Sequence, residues 1–296
     1  MRYRAILFLL QKAGAFVARM SSARLFAVGS ALGMFWHNVL RIRRDVVYAN
    51  LQLVFPENRS VHRHIAAAFF RHFCASVLEF IAIPFRGIPV NELSVHGAAH
   101  FETALAKRNG VIAVTAHMGN FDMLACSQAL AGIPLGIVSK RLHASALNEF
   151  WMHTRRACGV KIFEEGNSST GVVRWLRRRN VLGLVVDQRT SSSKGGVAVP
   201  FFGYNVWTSC AAADLALRTG AALVPVVTIR TSENRHRIMF EAEIPIRDSR
   251  GELRTRMEIM QELHRVVESW IRTYPEQWMW LHRRFRHAAG AGKLPY

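Results

Sequence analysis

The stretch Thr115-Ala116-His117-Met118-Gly119-Asn120-Phe121-Asp122 holds the residue types of an acid–base site. Val111 to Thr115 reads as a short buried strand, Gly119-Asn120 as a turn, and Asp122 to Leu130 as the helix that follows. A neutral imidazole takes a proton from a hydroxyl near pH 7. A carboxylate on its other ring nitrogen fixes the tautomer and stabilises the imidazolium that forms. On a continuous helix His117 and Asp122 would stand about 140° apart, at 100° per residue. They converge only if the chain turns between them. Backbone N–H groups at Gly119 and Asn120, with the helix N-terminus, would face a developing oxyanion. A His and an Asp at this spacing also arise by chance in many sequences. The pair therefore needs support from the rest of the chain.

The elements that must position it alternate. Residues 60–83 read as a helix with His62, Arg63, Arg71 and His72 on polar faces, ended by Pro84 and Pro89. Beyond the 111–130 unit, strands are expected at Leu135 to Ser139, Val160 to Phe163, Val181 to Val186, Leu223 to Ile229 and Ile238 to Ile246. Helices are expected at Ala146 to Cys158, Thr170 to Arg179, Ala211 to Thr219 and Leu253 to Tyr274, with a loop over Thr190 to Gly196. Such alternation implies an α/β fold with a mostly parallel central sheet flanked by helices. Sites in such sheets gather where strands end and helices begin. There is no internal repeat and no long linker. Three regions follow: membrane-associating helices over 1–45, the main domain over 46–287, and a frayed tail over 288–296.

Composition narrows the class. The 296 residues are 50% apolar, which excludes a disordered chain. Charged residues run through most of the sequence, which excludes a polytopic membrane protein. Cys74, Cys126, Cys158 and Cys210 include no pair at metal-ligand spacing and read as reduced, buried side chains. The net charge of +19 calls for an anionic partner: nucleic acid, lipid headgroups or an acidic protein. No nucleic-acid-reading motif is present, and the basic residues lie beside apolar helices, so lipid is favoured over nucleic acid.

Those apolar helices are at the N-terminus. In AILFLLQKAGAFVARM (5–20) the apolar run breaks at Gln11 and Lys12 and is too short to span a bilayer. Arg4, Gln11, Lys12 and Arg19 share an arc of roughly 100° on a helix. That is the pattern of an interfacial helix whose basic side chains snorkel to phosphates. Leu25 to Leu40 is a second apolar stretch, marginal for spanning, followed at once by Arg41, Arg43 and Arg44.

Further motifs lie outside the His-x-x-x-x-Asp turn. They are Asn50 with Phe55-Pro56, Asp187-Gln188 after a buried strand, Pro200-Phe201-Phe202-Gly203, and Leu215-Ala216 with Thr219-Gly220-Ala221 and Pro225. Near the C-terminus stand Pro275-Glu276-Gln277-Trp278, Trp280, His282, Arg283, Arg284 and Phe285. In order and spacing the chain resembles, over roughly residues 35–287, the lipid A late acyltransferase family, within the wider glycerolipid acyltransferase superfamily. Phe121 stands where that family often has Trp, and Asp122 where many members have Glu.

The resemblance implies an O-acyltransferase. His117 would be the general base, with Asp122 to orient and charge-balance it. Gly119 and Asn120 would keep the turn tight and offer oxyanion donors. The acyl donor would be a thioester of acyl-carrier protein, or of coenzyme A. The acceptor would be a hydroxyl of an anionic lipid: a lipid A precursor or, as the alternative, another acceptor such as a glycerophospholipid, an aminolipid or a phosphatidylinositol mannoside. A functional cation is implied at Lys140 or Arg141. Asp187 and Gln188 are implied as site residues, Phe201 and Phe202 as lining for the acyl chain, and Arg283 and Arg284 as phosphate contacts. Arg174, Arg177, Arg178 and Arg179 would face solvent and dock an acidic carrier. No cofactor, metal or nucleic acid is implied. The place would be the cytoplasmic face of a bacterial inner membrane.

Overall fold

A computed structural model describes residues 2–166 and 169–288. Two apolar helices open the chain, α1 (Arg2–Val17) and α2 (Ser22–Phe35), the second started by the Ser21 side chain accepting from Arg24 N. A π turn, Trp36–Leu40, extends α2. The chain then bends by 97° into α3 (Arg44–Val54) and continues into α4 (Arg59–Arg86). Next come β1 (Leu93–His96), α5 (Ala98–Ala106), β2 (Val111–Thr115), α6 (Phe121–Leu130), β3 (Leu135–Ser139), α7 (Ser145–Ala157) and β4 (Lys161–Glu164). They are followed by α8 (Ser169–Arg177), β5 (Val181–Val185), β6 (Val197–Phe201), β7 (Tyr204–Thr208), α9 (Ala211–Thr219), β8 (Ala222–Arg230), β9 (His236–Phe240) and α10 (Arg256–Thr273).

Seven strands form one sheet in the order β1-β9-β8-β2-β5-β3-β4. Every neighbouring pair is parallel except β8 with β9, so the sheet is mostly parallel, as the alternation predicts. β2 lies between β5 and β8 and is almost fully buried. Its partners are matched Thr115 to Val185 and Val114 to Pro225. One sheet face packs a core that includes Phe69, Phe70, Ile112, Leu223, Trp278, Trp280 and Phe285; Phe101, Val224 and Phe240 cluster separately. The N-terminal helices close a third cluster with Leu25, Phe80 and Phe150.

Three sequence expectations change, and one hairpin is added that the sequence does not announce. Pro84 does not end α4: it lies inside the helix, two residues before its last residue Arg86, and Gly87 with φ +71 ends it. His62 is buried, its Nε2 bonded to the Phe55 carbonyl, and is not on a polar face. The strand expected to reach Ile246 stops at Phe240, and only Ile244 pairs again, with Leu223. β6 and β7 form a hairpin across Phe202 (φ +49) and Gly203 (φ +79), the two positive φ values a two-residue turn demands. Of the tail expected to fray over 288–296, residues 289–296 lie outside the described residues.

α1, α2 and the π turn keep large apolar side chains in solvent, among them Leu9, Phe16, Leu32, Phe35 and Val39. α4 is long and apolar enough to cross a membrane by composition, but half of its apolar window is buried inside the protein.

Candidate active site

The register of β2 on β5 builds the centre. With Thr115 opposite Val185, residues two positions further along each strand arrive side by side beyond the strand ends. Those residues are His117 and Asp187. His117 Nδ1 donates to Asp187 Oδ1 across 2.9 Å, and the His117 main-chain N–H donates to Oδ2 at 2.9 Å. The Trp278 indole N–H donates to the same Oδ2 at 2.8 Å. Asp187 is buried, while the His117 side chain keeps 14% of its surface exposed. Burial would raise the Asp187 carboxyl. The adjacent imidazole charge and these three donors outweigh it and hold the group well below the usual carboxylate range. A permanent carboxylate on Nδ1 keeps the proton there and leaves the Nε2 lone pair pointing outward. At Nε2 stands the exposed Gln188 carboxamide, whose N–H donates at 3.1 Å.

The turn that carries His117 is strapped to the C-terminal segment. Met279 N–H donates to the His117 carbonyl and Gly119 N–H to the Gln277 carbonyl, both at 2.9 Å. Gly119 has φ +56, and a Cβ there would lie 1.9 Å from the Thr228 carbonyl oxygen, so only glycine fits against β8. Asn50 is buried and donates to the carbonyls of Trp280 and His282 at 2.8 Å each, which fixes the far end of the strap. A small cleft beside His117 is lined by Phe69, His72, Phe73, Phe121, Gln277 and Met279. Burial, with the charges of Arg230 and Arg71, pulls His72 down to about 4, so it is neutral at pH 7.

Asp122 is not the partner of His117. It lies in the first turn of α6 on the side facing α7. There Oδ1 accepts from Arg155 Nε (2.8 Å) and Nη2 (2.6 Å), and Oδ2 accepts from Trp151 Nε1 at 2.9 Å. Lys140 and Arg141 are exposed on the loop after β3; the cation that meets the motif carboxylate is Arg155. Gly119's amide is spent on Gln277. Asn120 is a buried helix cap: its Oδ1 accepts from Met123 N and its amide donates to Glu79. The amides of Phe121 and Asp122, in the first turn of α6, have no intrahelical acceptor.

Arg284 is not a phosphate contact. It is fully buried, donates to the carbonyls of Gln188 and Trp207 at 3.0 Å each and to His264 Nε2 at 3.1 Å, and stacks on Phe201. Burial pulls its guanidinium down to about 10. It supports the Asp187-Gln188 loop from beneath. Arg283 is exposed at the surface. Phe201 is wholly buried among Trp278, His264 and Phe285, so it is core and not a pocket wall. Phe202, under the Arg272 guanidinium, lines a separate open groove with Phe55, Pro56 and Tyr204. Arg174, Arg177, Arg178 and Arg179 are exposed, as expected.

Two residues of the centre carry no sequence signal of their own as site groups. Arg155 lies in the last turn of α7 beside Arg156, where a basic residue is ordinary. The indole of Trp278 reads as packing, and only the proximity of its motif to Asp187 in the fold shows its role.

A family described as bacterial lipid A biosynthesis acyltransferase matches residues 1–287 of the chain. The chain is 26% identical over 270 residues to the lipid A biosynthesis palmitoleoyltransferase of Escherichia coli (strain K12), covering 88% of this chain and 84% of that protein. It is 25% identical over 271 residues to the lipid A biosynthesis lauroyltransferase of the same organism, covering 88% and 85%. A shorter similarity, 28% over 133 residues (44% and 42%), joins it to a phosphatidylinositol mannoside acyltransferase of Mycobacterium tuberculosis (strain CDC 1551 / Oshkosh).

Proposed function

Because this chain belongs to the bacterial lipid A biosynthesis acyltransferase family, we propose that it moves a fatty acyl chain from acyl-carrier protein to a hydroxyl of a lipid A precursor, with His117 as general base. It is an O-acyltransferase that joins an acyl donor to a lipid acceptor. The observation that carries the mechanism is the His117–Asp187 pair at the strand ends, with Nε2 facing outward.

The acceptor O–H approaches Nε2 along the line that the Gln188 amide holds in this structure, and Gln188 swings aside. Nε2 takes the hydroxyl proton as the oxygen attacks the thioester carbonyl carbon. The tetrahedral oxyanion faces the α6 N-terminus, where amides with no intrahelical acceptor and the helix dipole favour negative charge. Collapse breaks the C–S bond. The departing thiolate takes the proton back from Nε2, leaving an ester and a free thiol. Asp187, anionic throughout, stabilises the imidazolium between the two transfers. Asp122 with Arg155 ties α6 to α7 and so holds the helix whose N-terminus serves the oxyanion.

Residues 1–45 seat the chain on the cytoplasmic face of the inner membrane. The exposed apolar side chains of α1 and α2 enter the interface while Arg4, Lys12 and Arg41 meet lipid phosphates. Residues 46–287 carry the chemistry, and the exposed arginines of α8 suit an acidic carrier.

The test is mass spectrometry of lipids from a bacterial host lacking its own late acyltransferases, with and without this chain. One added acyl mass on lipid A supports the acceptor assignment. An added acyl mass only on another lipid moves the same chemistry to that acceptor, and unchanged lipids contradict the proposal.

A further inference from the structure

Against the catalytic turn lies a buried charge cluster that the mechanism above does not use. Glu79 on α4, Arg230 at the end of β8, His236 at the start of β9 and Asn120 are each at most 4% exposed. Glu79 Oε2 accepts from Asn120 Nδ2 and from Arg230 Nη2, both at 2.8 Å, and Oε1 accepts from Arg230 Nη1 and faces His236 Nε2 at 3.2 Å. Burial would raise the Glu79 carboxyl, but the charges and hydrogen bonds of His236 and Arg230 hold it below the usual range, so it is anionic.

The cluster closes on the turn as a ring. Glu79 holds Asn120. The neighbouring Gly119 N–H donates to the Gln277 carbonyl. The Gln277 carboxamide donates to the Arg230 carbonyl at 2.9 Å and accepts from the Arg230 main-chain N–H at 2.7 Å. The Arg230 guanidinium returns to Glu79. A buried ion pair of this kind is often no more stabilising than apolar residues of the same volume. This one also leaves Arg230 Nε and His236 Nδ1 without partners among the described residues. Stability alone therefore gives little reason for it, whereas a directional clamp needs such bonds.

We propose that Glu79 is a positioning residue: through Asn120 it fixes where the 117–121 turn stands relative to Asp187 and to the α6 amides. The inference rests on His117 being the base. A shift of about 1 Å in a reacting group costs roughly 10²-fold in rate, which sets the expected size of the effect.

Asn120→Ser is the informative variant. Serine caps a helix as well as asparagine does, so α6 keeps its start, but it is too short to reach Glu79. Thiol release from an acyl-carrier-protein thioester, with a detergent-dispersed lipid A precursor as acceptor, gives kcat and KM. The expected result is a kcat roughly 30- to 100-fold lower, KM within twofold, an unchanged pH profile, and a melting temperature close to that of the unaltered protein. Glu79→Gln, which places a neutral amide between two donors, should give the same split wherever it folds. A kcat for Asn120→Ser within threefold of the unaltered protein overturns the proposal. So does a loss of rate that follows the melting temperature and disappears on cooling, which would mean support of the fold only. His117→Ala in the same assay separates the two claims. If it is inactive while Asn120→Ser is not, only the positioning role fails; if it stays active, the base assignment fails.

Discussion

His117 and Asp187 stand 70 residues apart in sequence and 2.9 Å apart in the fold, and the parallel pairing of Thr115 with Val185 accounts for the difference. The pairing of neighbouring strands converts a chain separation into a contact. It places the imidazole with one nitrogen on a buried carboxylate and the other at the surface, the arrangement general-base catalysis needs.

Asp122 and Arg155 should behave as a couple that excludes His117. Asn at 122 leaves a mostly buried guanidinium without its counter-charge, at a cost on the order of 3 kcal/mol. In a double-mutant cycle of melting free energies, Asp122→Asn with Arg155→Met should show a coupling of about 1 kcal/mol or more. Asp122→Asn with His117→Ala should be additive within about 0.5 kcal/mol. The reverse ranking would restore the pairing that the motif spacing suggests.

Gln188 should shield Nε2. Gln188→Ala removes the amide from the imidazole and leaves the backbone bond to Arg284 in place. Carbethoxylation of His117 should become several-fold faster than in the unaltered protein, read by peptide mass. An unchanged rate would show that the amide does not occupy the approach line.

Stability should climb with pH between about 4 and 6.5. Burial lowers His264 to about 3, His282 to about 4 and His72 to about 4, against an ordinary value near 6.5. In that window the unfolded chain binds protons that the folded one refuses, so ΔG of unfolding rises with pH by linkage. Up to three protons are taken up on unfolding, one for each of these histidines. Below pH 4 the lowered carboxyls of Asp187 and Glu79 add to the loss. Melting temperatures in detergent from pH 4.5 to 7 check the sign; a flat curve would contradict it.

The exposed side chains of α1 should set membrane affinity. Leu9 and Phe16 are each 64% exposed, and burying such a side chain in an interface is worth about 1.5–3 kcal/mol. Serine at either position should weaken sedimentation with anionic vesicles by roughly tenfold. Binding that is unaffected by both changes would remove α1 from the interface.

Much of this was legible in the chain. The residue pattern places β2, α6, β3, α9 and the long final helix to within a few residues: β2 is a short apolar run buried on both faces, and the final helix has one buried face. The hairpin at 197–208 was hidden because its turn is Phe-Gly rather than Asn-Gly, and a positive φ at Phe202 has no local signature. His117 and Asp187 were both visible as site residues, but their pairing was not. A His and an Asp five positions apart attract attention by proximity in sequence, whereas strand register is a property of the assembled sheet. Arg284 misled for a related reason: an arginine beside aromatics suits a phosphate, and equally suits a buried post under a loop, and only burial separates the two.

The central claim, that His117 charged against Asp187 carries the proton, is tested most directly by Asp187→Asn. The change keeps size and shape, removes the charge, and offers Nδ1 an amide in place of a carboxylate. The measurement is single-turnover acyl transfer from acyl-carrier protein to a lipid A precursor, with circular dichroism to confirm the fold. The expected loss is ~10²–10⁴-fold, equal to that of His117→Ala and no greater in the double variant. A folded Asp187→Asn protein that transfers within threefold of the unaltered rate would contradict the account.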